Sequence, residues 1–207
     1  MLSRCRAFVV AQTEAQNRSL MRLAERAGFG LIGTAFGRHA VAVEGERSEI
    51  VFFFVHYMLP DSAMTAIIRR IRQSANDAVR FAPIFLVIQD CPYETILKYV
   101  RLGYDDVIVL PEKREALVGR ILAQLNCEQL YFETGDYLGP DRRRMDYAES
   151  PVDPRRRPET PHTRLHINRT IEEGARVLRF EIVGKRPDAP QAMRSHGARG
   201  ANVAGHA

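Results

Sequence analysis

The stretch EIVFFFVHYMLP at residues 49–60 decides how the rest of the chain is read. Six apolar residues run unbroken from Ile50 to Val55, and His56, Tyr57 and then Pro60 close the run. A strand with one wet face alternates apolar and polar side chains, so a continuous run rich in Phe and Val predicts a strand buried on both faces. Such strands sit inside parallel sheets, whose ligands bind just beyond the carboxyl ends of the strands. His56 stands at that end. It is either a reactive group or a side chain that fills space.

Working outward, RAFVVA (6–11) predicts a short buried strand and residues 14–27 an amphipathic helix, with Leu20, Leu23, Ala24 and Ala27 on one stripe and Gly28 as its stop. FGLIGTA (29–35) reads as a second strand, and residues 36–48 as a poor helix or a loop. Beyond Pro60 a helix is expected over 62–74, with Met64, Ile67, Ile68 and Ile71 inward and Arg69, Arg70 and Arg72 outward. PIFLVI (83–88) is another apolar strand, 92–102 a helix, DVIVL (106–110) the last strand, and 112–126 a closing helix. Strand and helix alternate five times, which predicts an α/β fold with a five-stranded, doubly wound parallel sheet of the flavodoxin-like type.

Composition sets outer bounds. At 207 residues, 45% hydrophobic and 27% charged, the chain suits one globular domain with an extension. No run approaches the ~20 apolar residues of a membrane span, and MLSRCRAFVV is too short and too basic for a signal peptide, so a cytoplasmic location without membrane contact is expected. Cys5, Cys91 and Cys127 are odd in number and far apart, fitting reduced thiols rather than a disulfide or zinc framework. Residues 1–137 hold 16 Lys/Arg against 16 Asp/Glu, while 138–207 hold 14 against 9 and carry the whole net charge of +5. Any attraction to acidic partners therefore belongs to the tail.

That tail differs in character. Residues 127–162 hold GPDRRR (139–144) and DPRRRP (153–158) among prolines and few large apolar residues, and are expected to form a linker arm. RLHINR (164–169) and ARVLRFEIV (175–183) alternate around EEG (172–174), so residues 163–183 can pair as a β-hairpin that docks on the front domain or a partner. Residues 184–207 are rich in Gly, Ala and Arg and are expected to be disordered. The arginine blocks, Arg142, Arg143, Arg144 and Arg155, Arg156, Arg157, suit phosphate, nucleic acid or an acidic protein surface. The surrounding acidic residues and the lack of stacking aromatics favour the protein surface, with nucleic acid the alternative.

Three stretches then carry a family resemblance. MLPDSAMTAIIRRIR (58–72), APIFLVI (82–88) and GYDDVIVLPEKREAL (103–117) resemble, in order and spacing, the receiver domain of bacterial response regulators over roughly residues 4–126. The segment YLGPDRRR is similar to a Gly-Pro-Asp/Glu-Arg-Arg motif in tails of some alphaproteobacterial receiver-like proteins. The resemblance implies a phosphoacceptor Asp after the third strand, an acidic pair for Mg²⁺ after the first, a hydroxyl after the fourth and a Lys after the fifth. Carboxylates suit the hard cation, and hydroxyl and ammonium suit the phosphoryl oxygens. In this chain those positions fall on His56, on Ala11 and Gln12, on Ile88 and on Leu110, and the family's reporting aromatic falls on Val107. Each departs from the pattern, which implies a pseudo-receiver that takes up no phosphoryl group, with His56 as filler.

The remaining expectations follow. No glycine-rich phosphate loop and no Ser/His/Asp arrangement can be built, since His39 and His56 are the front domain's histidines; no enzyme, cofactor or metal is expected. Asp105 and Asp106 precede a strand at its amino end and are given a turn role. Cys91 lies near a helix start, where a thiolate would be stabilised, and is read as a passive thiol or a redox sensor. By resemblance, Tyr93, Lys98, Tyr99 and Arg101 with Glu112, Arg114 and Arg120 form the face that binds a signalling partner or a second copy.

Overall fold

A computed structural model describes residues 1–35, 49–141 and 161–184. The expectations for 36–48, for both arginine blocks and for 185–207 lie outside the described residues.

The strands are β1 (Arg6–Val10), β2 (Leu31–Thr34), β3 (Val51–His56), β4 (Ile84–Gln89) and β5 (Asp106–Leu110). They form one all-parallel sheet in the order β2-β1-β3-β4-β5. Helices α1 (Glu14–Ala27), α2 (Asp61–Arg72), α3 (Asp77–Arg80), α4 (Tyr93–Leu102) and α5 (Arg114–Leu122) join them. This is the doubly wound fold that the alternation predicts. Short α3 was not anticipated; four residues are too few to show a helical period, and Asn76 caps it through Ala78 N–H.

The opening stretch is the middle of the core. Phe52 and Phe54 point to one face and join Leu20, Leu23 and Ala24 of α1 and Leu117 and Ile121 of α5. Val51, Phe53 and Val55 point to the other and join Met64, Ile68 and Ile71 of α2 and Tyr99 of α4. Both faces of β3 are covered, which is why its sequence does not alternate. Thr13 and Gln16 form a reciprocal cap that opens α1, and Gly28, at φ 101°, closes it in a left-handed turn.

The linker expected over 127–162 is corrected in its first part. β6 (Gln129–Glu133) and β7 (Leu138–Pro140) lie within it, and with β8 (His162–Thr170) and β9 (Gly174–Val183) they form an antiparallel sheet in the order β7-β6-β8-β9. The expected hairpin is β8–β9. The arm lacked apolar residues of its own because most of its core is supplied from elsewhere: Tyr131 and Leu138 bury against Leu165, Ile167, Ala175 and Phe81. The closing helix is correspondingly shorter than 112–126; after Leu122 the chain turns, and Asn126 N–H donates to the Arg169 carbonyl at 2.9 Å. No helix among the described residues is long and apolar enough to cross a membrane.

Candidate functional site

The carboxyl edge of the parallel sheet is the first place to look, because strand ends and loops converge there. Register sets Val55 beside Val10, His56 beside Val87, Ile88 beside Val109 and Leu110 beside Gln89. Ala11, Gln12, His56, Ile88 and Leu110 thus gather along one edge. Ile88 is buried and Leu110 half-buried, so hydrocarbon occupies the positions where a hydroxyl and an ammonium would bind an anion. The Gln12 and Thr13 N–H groups both donate to the Gln16 side chain, at 3.2 and 3.1 Å, which commits that turn to capping α1. The Gln16 amide in turn reaches the Met58 sulfur at 3.4 Å.

His56 is half-buried and stacked on Tyr57 at 5.1 Å between ring centroids. Its Nδ1 accepts the Met58 N–H at 3.3 Å, which places the proton of the neutral ring on Nε2. Burial lowers the imidazole below its ordinary value of 6.5. The unfolded chain therefore takes up a proton on this residue at a pH where the folded one does not. The associated stability is complete above about pH 6.5 and falls as pH drops toward the lower folded value. We predict that His56→Gln loses less stability than the parent between about pH 7.5 and about pH 5.5 in urea titrations. Equal losses would remove His56 as the source.

Among the described residues, no group of three or more His, Cys, Asp or Glu could hold a metal ion. At Cys91, burial and then the adjacent Asp90 push the thiol up, away from the thiolate form that a redox sensor uses. A shallow groove of about 560 Å³ runs beside the edge, lined by Arg22, Arg26, Gln89, Asp90, Leu110 and Glu112 among others.

The expected partner face is divided. Tyr93 is exposed, as are Lys98, Arg101 and Arg114. Lys98 pairs with Asp61 at 2.6 Å, and Arg114 donates to the Arg26 carbonyl at 2.8 Å. Tyr99 is corrected: it is buried, edge-on to Tyr104, because it continues the inward stripe of α4. Arg120 is largely engaged within the chain, through both Asp106 oxygens (2.5 and 2.9 Å) and the Val107 carbonyl.

The strongest polar cluster lies at the opposite, amino-terminal edge, where the turn role given to Asp105 was too modest. Its side chain is 2% exposed. Oδ2 accepts Arg72 Nη2 and the Ile84 N–H, both at 2.7 Å, and Oδ1 accepts the Tyr131 hydroxyl. Arg169, fully buried, donates to Tyr131 at 2.5 Å, to the Phe81 carbonyl at 2.7 Å and to Asp105 at 3.5 Å. Arg72, expected outward, is also buried and donates to the Arg80 and Ala82 carbonyls at 2.9 and 2.8 Å. Both guanidinium groups lie over the Tyr131 ring, at 5.2 and 5.4 Å from its centroid. Desolvation dominates at Tyr131 and pushes its phenol up to about 12. The cluster ties β6 and β8 to α2, β4 and β5. Arg72 lies on the same side of α2 as Met64 and Ile68, and Arg169 shares the strand face of Leu165 and Ile167, a signal that the outward reading of Arg72 overlooked.

No family model matches the chain, and no curated protein matches it. Among solved structures, it is similar to a protein described as pilus assembly-related from Burkholderia pseudomallei (21% identity, TM-score 0.45), with 59% of this chain and 90% of that one covered. A pilus assembly protein (cpaE) from Burkholderia thailandensis gives 22% and 0.44, over 57% and 96%. The chemotaxis response regulator CheY4 of Vibrio cholerae gives 17% and 0.43, over 57% and 97%. At these levels the likeness concerns the fold.

Proposed function

We propose that this chain is a non-catalytic signalling protein of the two-component type, in which a phosphorylation-deficient receiver-like domain acts by binding a protein partner. The observation that carries this reading is the carboxyl edge. Ala11, Gln12, His56, Ile88 and Leu110 occupy one edge of a five-stranded parallel sheet, at the positions where the resemblance requires carboxylates, a hydroxyl and an ammonium. Aspartyl phosphate chemistry needs a carboxylate nucleophile and a cation to offset the charge of the phosphoryl group. The partner face is then the exposed part of α4 and its surroundings: Tyr93, Lys98, Arg101 and Arg114.

Incubation of the full chain with acetyl phosphate and Mg²⁺ is expected to leave its intact mass unchanged. A hydroxylamine-sensitive phosphoprotein would overturn the proposal. Partner capture requires the full chain, because a chain ending at Asn126 would lack Tyr131 and Arg169 and leave Asp105 and Arg72 without them.

A further inference from the structure

Among the described residues, β9 is the outer strand of the antiparallel sheet, paired with β8 on one side only. Every residue from Arg176 to Ile182 is exposed. Leu178, Phe180 and Ile182 are exposed by 53, 64 and 60%, although Leu165, the register partner of Phe180, is buried. By register Val177, Phe180 and Ile182 therefore lie on the same face as Ile167, Leu165 and Thr163, while Leu178 is the extra residue between Val177 and Arg179. Such an edge presents unpaired backbone groups to any strand that approaches. It carries no Lys or Pro to deter pairing. Its register irregularity falls near Leu178, opposite His166 and Ile167.

The charges on β9 select the occupant. Arg179 and Glu181 flank Phe180 and are of opposite sign. They contact Glu128 at 3.0 Å and Arg164 at 3.7 Å within the chain, yet more than half of each side chain stays exposed. An antiparallel copy of the same strand, centred on Phe180, sets Phe180 against Phe180 and Arg179 against Glu181 on both sides of the axis, clear of the irregularity at Leu178. Centring on Arg179 or on Glu181 would set like charges directly opposite, which is unfavourable, as would an in-register parallel copy. We propose that β9 is a homodimer interface: two copies join edge to edge through an antiparallel β9 pair about a two-fold axis at Phe180, making one continuous sheet.

Light scattering of the full chain is expected to show a dimer, and Phe180→Lys, which sets two ammonium groups opposite each other, is expected to yield a monomer. Because Phe180 is exposed, the variant should keep the parental circular dichroism. Register is read with one cysteine introduced at a time in a Cys91→Ser, Cys127→Ser background, whose remaining Cys5 is buried, oxidised by copper phenanthroline. Phe180→Cys is expected to cross-link to itself, and Arg179→Cys to cross-link with Glu181→Cys when the two proteins are mixed, since directly opposed antiparallel residues lie within disulfide reach. A monomeric parent, a dimer indifferent to Phe180→Lys, or self-cross-linking at 179 or 181 in preference to 180 would each overturn the proposal.

Discussion

Asp105→Ala is expected to destabilise the protein by about 3–5 kcal/mol, the cost of removing one partner from a buried ion pair. The loss exceeds that of a surface pair because nothing replaces the carboxylate: Arg72 and Arg169 are both buried beside the Tyr131 ring and would be left without an anion. The Ile84 N–H would lose its acceptor as well. Urea denaturation of parent and variant measures the effect. A shift below about 1 kcal/mol would mean that the cluster is not what ties the two sheets together. Replacing Asp105, Arg72 and Arg169 together by apolar residues of similar volume should cost less than Asp105→Ala alone, because no uncompensated charge is then left inside.

Phe54→Ala is the second large effect, at about 3–5 kcal/mol. Phe54 is fully buried at the middle of β3, stacked on Phe85 at 5.4 Å and edge-on to Phe29 at 5.7 Å. Its loss opens a cavity bounded by neighbouring strands, which cannot close over it without breaking their ladders. The denaturation midpoint should fall with the slope unchanged. Phe54→Leu, which keeps most of the volume, should recover much of the difference. If alanine and leucine cost the same, cavity formation is not the cause.

The two variants act on parts of the fold that differed in how openly the sequence announced them. Phe54 lies in a run whose neighbours are all apolar, so its burial follows from local pattern. The same holds for the stripes of α1, α2 and α4, and it made the five-stranded parallel sheet readable from unbroken apolar runs joined by segments with a 3.6-residue period. His56, Ile88 and Leu110 could be placed at the carboxyl edge because each ends, or nearly ends, an apolar strand.

Asp105 gave no such signal. Its partners Tyr131, Arg72 and Arg169 are 26, 33 and 64 residues away, and a charged residue in a turn looks alike whether water or another sheet lies over it. The arm misled for a related reason. Tyr131 and Leu138 are too few to support a core alone, and the hairpin and Phe81 that complete it lie elsewhere in the chain. Tyr99 and Arg120 show the reverse case, in which residues assigned to a partner surface are engaged within the chain.

The sequence by itself therefore determined the elements of the first sheet and the hydrocarbon character of its carboxyl edge, because burial on both faces leaves a mark on each local stretch. Only the tertiary structure decided that residues 129–133 and 138–140 are strands, that four distant polar residues form one buried cluster, and that β9 is an edge strand among the described residues. Those outcomes depend on which surfaces meet, and contact between surfaces remote in the chain leaves no period in the residues that make it.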